Sequence, residues 1–271
     1  MSEKLFSITG GLYFSVEERL FGLQNKGVSP GGAQDQLSFN IAFNIFGKPK
    51  NFQAIEMIYS AKIVAETNML FIICGAGYQQ ILIDDEKVIS KDEVYALEKG
   101  QKISFNGQKS GFRTLIFAVE NNDTTNNYIS KKRPMRVTTF ISSLYGSRHV
   151  RVIQGPEYNI LNDDLIFNQS WKISQNSSQM GLVLEADKLN AQKIEMISQP
   201  VTDGTVQLSP NGPIILMRHR QTVGGYPRVL NVIEADINKL AQLAPGASLR
   251  FKLIEFEEAK QINNEYTKLF G

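Results

Sequence analysis

Residues 52–119 break into short apolar runs separated by turn residues, and no other feature limits the fold so strongly. Strands are expected at 53–59, 61–66, 69–74, 79–83, 94–97, 101–105 and 113–119, punctuated by Gly75-Ala76-Gly77, Asp84-Asp85 and Lys99-Gly100. One acid, Glu56, sits inside the apolar run Ala54-Ile55-Glu56-Met57-Ile58. Such a carboxylate serves either as a site group with a raised pKa or as a structural acid paired with an arginine. On residues alone, both readings stand.

Upstream, residues 5–16 read as two strands around Gly10-Gly11. Gln34–Phe46 then reads as a helix, because Leu37, Ile41, Ile45 and Phe46 share one face and Gly47 and Pro49 stop it. Ser29-Pro30-Gly31-Gly32 therefore enters a helix N-terminus, where free N–H groups and the dipole favour an anion. The plainer alternative is a turn, with Asp35 stabilising the first helical turn. No Gly-Lys-Ser/Thr follows, so this is not a phosphate-binding P-loop.

A second polar, glycine-rich segment closes the run Pro213-Ile214-Ile215-Leu216-Met217. It reads as a buried strand that surfaces at Arg218, with Arg218 and Arg220 on one face and His219 on the other. Gly224 and Gly225 allow positive φ and close approach, and Pro227 holds Tyr226 extended. A tight hairpin with incidental charges is the alternative. Further on, Trp171 is expected in the core, Asp236 as the cap of a short helix over 236–243, and residues 256–269 as a docked helix.

A chain of 271 residues, 42% hydrophobic and 21% charged, can bury one long β domain or two ordinary ones. The polar stretch at 120–147 suggests a division into an N-terminal lobe at 1–125, a linker at 126–147 and a C-terminal lobe at 148–271. Leu97-x-x-Gly100-x-x-Ile103-x-Phe105 shares its spacing with Leu243-x-x-Gly246-x-x-Leu249-x-Phe251, an echo between the halves. A net charge of +2 gives no electrostatic case for nucleic acid or an anionic membrane. The single cysteine, Cys74, reads as a buried structural thiol, and its solitude fits a reducing compartment. No signal peptide or spanning segment is evident, so a cytoplasmic location is expected. One cysteine and two histidines leave no metal-ligand set, and no Gly-x-Ser-x-Gly elbow is present. What remains is glycine loops, hydroxyls, amides and guanidiniums, which suit polarising a carbonyl or carboxylate.

Gln221-Thr222-Val223-Gly224-Gly225-Tyr226-Pro227-Arg228 resembles the signature of the family of 5-oxoprolinase C-type subunits, also called allophanate hydrolase subunit 2 or the biotin-dependent carboxyltransferase family. Blocks at 27–35, 155–158, 174–181 and 240–246 resemble further family blocks in the same order. The resemblance implies a mainly β chain of two cyclophilin-like β-barrel lobes with a few short helices. It places Gln221, Thr222 and Glu56 in the chemistry, and Ser29, Gly31, Gly32, Asp35, Ser177, Arg218, Gly224, Gly225 and Tyr226 in substrate binding. The reaction implied is ATP-dependent opening of 5-oxo-L-proline to L-glutamate, with ATP shared with homologues of the A-type and B-type subunits of 5-oxoprolinase. A biotin-dependent carboxyltransferase of the urea or allophanate type is the alternative, and a non-catalytic regulator that binds the B-type homologue is a third. The chain departs from the pattern at Ser15–Phe21, at Gln179 where relatives carry arginine, and in lacking the glycine-rich insert near 120–147.

Overall fold

The computed structural model describes residues 4–122, 125–128, 131–145 and 148–270. It is mainly β, as expected, and divides into two units. The first takes residues 4–17 and 35–139; the second takes 18–34 and 140–269. Residues 18–34 thus pack with the C-terminal half, which no local composition signals.

The first unit is built from β1 (Phe6–Thr9), β2 (Leu12–Val16), β3 (Gln53–Tyr59), β4 (Lys62–Ala65), β5 (Met69–Ile83), β6 (Lys87–Ile89), β7 (Val94–Leu97) and β8 (Lys102–Glu120). All eight form one curled sheet in which β5 and β8 pair along most of their length. The turn expected at Gly75-Ala76-Gly77 is instead an irregularity inside β5, where the register against β8 shifts between Gly75 and Gly77. Glycine relieves the distortion there, with Gly75 at φ 92°, and the strand runs on.

Helix α1 (Gln36–Ile45) covers one face of this sheet. Phe39, Phe43, Phe46 and Phe52 gather around Phe117, with Phe52 stacked on it at 4.7 Å between centroids. The opposite face packs Phe6, Ile55, Met57, Ile63, Phe71, Ile73 and Ile116. Both faces are buried, so Leu115-Ile116-Phe117-Ala118-Val119 is continuously apolar rather than alternating. Helix α2 (Met135–Tyr145) occupies part of the segment read as a linker, of which residues 129–130 and 146–147 lie outside the described ones.

The second unit is a closed barrel. Its strands β9 (His149–Gln154), β10 (Trp171–Ile173), β11 (Gly181–Glu185), β13 (Thr205–Ser209), β14 (Gly212–Leu216), β16 (Arg228–Val232) and β17 (Ser248–Leu253) close in the order β10-β11-β14-β13-β16-β9-β17. Only β17 and β9 pair in parallel among them. A separate ribbon joins β12 (Gln199–Pro200) to β15 (Val223–Gly224). Helices α3 (Leu165–Asn168), α4 (Glu234–Ala241) and α5 (Phe256–Phe270) complete the unit. Alternate residues fill the barrel: Val150 and Val152, Leu182 and Leu184, Leu249 and Phe251. Trp171 is buried as expected, its indole Nε1–H donating to the Ile166 carbonyl at 2.9 Å.

Gly100 and Gly246 both adopt left-handed backbone, at φ 90° and 88°, and each is followed two residues later by a strand. The expected cap at Asp236 is not found, because α4 starts earlier, after Ile233. Asp236 instead lies buried and accepts from Arg151, at 2.7 Å from its N–H and 2.6 Å from Nη2. Cys74 is buried as expected; burial, with the Asp92 carboxyl beside it, pushes its thiol well above the usual range.

Candidate functional site

In the first unit, Asp35 caps α1 with its own carboxylate, accepting from the Ser38 N–H at 3.1 Å and the Ser38 hydroxyl at 2.7 Å. The position that sequence reserved for an incoming anion therefore already holds a negative group. Glu56 is 2% exposed, accepts from the Asp35 N–H at 2.8 Å and lies 3.3 Å from Arg113 Nε. Burial pulls the Arg113 guanidinium below its ordinary value, against the opposing pull of Glu56 and Asp35. The paired structural acid is the reading of Glu56 that the geometry favours.

The remaining residues that sequence singled out lie in the second unit. Strand β14 stops at Leu216, and residues 217–220 form a turn closed by the Arg220 N–H donating to the Met217 carbonyl at 3.1 Å. Arg218 does not surface: it is fully buried. Its guanidinium donates to Asp203 at 2.9 Å and to Glu234 at 2.7 and 3.2 Å. Burial alone pulls that guanidinium down, but Glu234 and Asp203 outweigh it and leave it above its ordinary value. Arg220 Nε lies 3.0 Å from the other Asp203 oxygen, and Arg19 pairs with Asp203 as well. His219 points elsewhere, its Nε2 2.9 Å from the Gly32 carbonyl oxygen. The expected sorting of the two arginines from the histidine holds, although a turn produces it.

That turn is also where the 29–34 loop attaches. Gln34 bridges two segments: its Oε1 accepts from the Arg218 N–H at 3.2 Å and its Nε2 donates to the Gln179 carbonyl at 2.7 Å. Gly31 and Gly32 both hold positive φ, 63° and 83°. At position 179 it is the backbone carbonyl that makes this contact. Ser177 works inside its own loop, its Oγ accepting from the Val183 N–H at 3.0 Å.

The 221–226 loop hangs on Gln207, which sequence did not single out. Gln207 Nε2 donates to the Tyr226 carbonyl at 3.0 Å, and its Oε1 accepts from Gln221 at 3.4 Å. Neither Gly224 nor Gly225 has positive φ, contrary to expectation. Gly224 is needed for proximity, since a Cβ there would lie 2.6 Å from the Gln207 amide nitrogen. Gly225 is exposed, and its would-be Cβ meets only Ser198 Oγ, at 3.7 Å. Thr222 binds through its carbonyl, accepting from the Val201 N–H at 3.1 Å, while its side chain is half-buried.

Two of the resemblance blocks clamp one another. Arg228 donates to Glu157 from Nη2 at 2.8 Å, from Nε at 3.0 Å and from its backbone N–H at 2.9 Å. A Cβ on Gly155 would lie 2.1 Å from the Arg228 carbonyl oxygen, so only glycine fits. The hydrogen bonds from Arg228 hold the Glu157 carboxyl below its usual range against a smaller opposing effect of burial. A depressed carboxylate stabilises the fold above its unfolded value, near 4.3, and that stability is lost as pH falls through the folded value. Glu157→Gln is therefore expected to cost about 1–2 kcal/mol at pH 7. Thermal melts across pH should show the gap from the parent closing below about pH 4; a gap that stays constant with pH would contradict the charge-based clamp.

Fold and site together define a mainly β protein of two units whose polar chemistry resides in glycine loops and guanidinium clusters. The chain belongs to the carboxyltransferase domain, subdomain A and B, family, whose model matches residues 26–131 and 121–253. It is 28% identical to the C-type subunit of 5-oxoprolinase from Haemophilus influenzae, over 90% of this chain and 89% of that protein. The protein of the same name from Escherichia coli is 27% identical over 97% of this chain and 95% of its own length. Among solved structures, the urea amidolyase of K. lactis superposes with a TM-score of 0.84 at 17% identity, over 97% of this chain. The chain spans only 19% of that larger protein, and the likeness speaks to fold alone. Among the described residues no helix is long and apolar enough to cross a membrane.

Proposed function

We propose that this chain is the C-type subunit of an ATP-dependent 5-oxoprolinase, working with homologues of the A-type and B-type subunits to open 5-oxo-L-proline to L-glutamate. The observation that carries this reading is the end-to-end match to two proteins of that name, 89% and 95% of whose lengths are covered. Opening a lactam requires polarising its carbonyl, and in this reading the donors are the Thr222 hydroxyl and those backbone N–H groups of the 221–226 loop that the β12–β15 ribbon does not use. Gly31, Gly32, Gly225 and Tyr226 would shape the approach, with Gln221 held in place by Gln207. Glu56 and Asp35 in the first unit, and Arg218 and Ser177 in the second, are each committed to protein partners within their own unit and are not assigned to substrate.

The nucleotide does not fit the α1 N-terminus, since the Asp35 carboxylate occupies it and would repel phosphate. ATP is then handled by the partner subunits, and no step through it is assigned to this chain. The family match and the urea amidolyase likeness keep a second reading in play, carboxyl transfer from a biotin carrier, with the same loop polarising an amide-like carbonyl.

The test is 5-oxoproline-dependent ADP release, measured for the purified chain alone, for the other two subunits alone and for all three together. The isolated chain is expected to be silent, because its sequence has no phosphate-binding loop and its α1 N-terminus is taken by Asp35. Robust release from the chain alone would overturn the shared-site reading.

A further inference from the structure

The second unit carries a cleft of about 680 Å³ that none of residues 221–226 lines. Arg19 and Arg220 line it together with Asp203, the carboxylate both pair with, and Glu234, while the fully buried Arg218 bonds both carboxylates from outside the lining. Three guanidiniums there share two carboxylates, Asp203 and Glu234, which leaves one positive charge over. Lys260, also in the lining, is 3.7 Å from Glu257 and has its own counter-charge.

The donors are not all used. Of the two lining arginines, Arg19 has a buried Nε without a hydrogen bond, and Arg220 Nε has only its ion pair with Asp203 Oδ1 at 3.0 Å. Arg220 is only 6% exposed. Burial and repulsion among the guanidiniums pull both Arg19 and Arg220 below their ordinary values, with Asp203 offsetting this in part. A buried surplus cation with an idle donor is an arrangement that an anion relieves. The rest of the lining is mixed: apolar Phe21, whose ring lies 4.9 Å from the Arg19 guanidinium, Ile153, Val232 and Phe256 stand beside amides such as Asn231 and Asn263. Phe256 is 64% exposed, so its ring is available to cover a ligand.

We propose that this cleft binds a small monocarboxylate with an apolar body, its carboxylate on Arg19 and Arg220 and its body between Phe21 and Phe256. Fork-shaped guanidinium donors match a planar carboxylate, and one surplus charge matches a monoanion. The inference stands on the second unit alone and needs neither the other subunits nor turnover.

Isothermal titration calorimetry of the full chain at low ionic strength tests it, with sodium benzoate, neutral benzamide and sodium phosphate as probes. Benzoate should bind, and benzamide and phosphate should each bind at least tenfold more weakly, the scale of one charge-assisted hydrogen bond. Arg19→Gln should weaken benzoate at least tenfold. Should that variant fail to fold, Asn264→Trp decides, because it fills the mouth from an exposed position on α5 without touching the buried charges. No heat with benzoate, benzamide binding equally well, phosphate binding as tightly, or Asn264→Trp binding benzoate like the parent would each overturn the assignment.

Discussion

Asp203→Ala is expected to lower the free energy of unfolding by about 3–5 kcal/mol, the range for removing one partner of a buried ion pair. Asp203 is the shared counter-ion of Arg19, Arg218 and Arg220. Without it, three guanidiniums would face Glu234 alone, and Arg218 cannot reach water because it is fully buried. Glu234→Ala should cost less, about 1 kcal/mol, since that side chain is 39% exposed and its loss leaves Asp203 in place. Urea unfolding of the two variants gives the comparison. A loss below about 1 kcal/mol for Asp203→Ala would mean that water screens the cluster.

Gly225→Val is expected to abolish activity in the reconstituted complex with almost no change in melting temperature. The position is exposed, its φ is not positive, and the added Cβ meets nothing closer than 3.7 Å. A branched side chain there fills the approach to the loop backbone without disturbing the fold. Gly224→Val is the internal contrast: it would drive into the Gln207 amide that carries the loop, so it should lower stability as well as activity. Thr222→Ala should remove a single donor, costing about 1 kcal/mol in transition-state stabilisation, roughly fivefold in rate. Full activity from a folded Gly225→Val would make the loop a mere turn.

Most strands and helix α1 were legible because each rests on local periodicity and punctuation, although the segments expected at 101–105 and 113–119 run together as β8. Trp171 and Cys74 were legible for the same reason, as large or reactive groups in apolar surroundings. Long-range pairing was not. Nothing near residue 203 announces that its carboxylate collects three arginines, one of them 184 positions away. Gln34 and Gln207 are neutral amides in ordinary contexts, yet they tie the loops together across 145 to 184 and 14 to 19 positions respectively. The glycine signals were real but partly misread. Gly75 and Gly77 look like a turn in sequence, and only pairing with β8 shows a bulge. At Gly155 and Gly224 the requirement is space rather than positive φ. The resemblance blocks also mix roles, for Gly155, Glu157 and Arg228 hold the barrel while Gly225 and Tyr226 remain exposed beside them.

The most direct measurement is formation of L-glutamate from 5-oxo-L-proline by the A-type and B-type homologues with ATP, with and without this chain. Product is predicted only when the chain is present, and Gly225→Val should behave as if it had been left out. Glutamate formed at the same rate without the chain, or carboxyl transfer from a biotin carrier in place of lactam opening, would contradict the account.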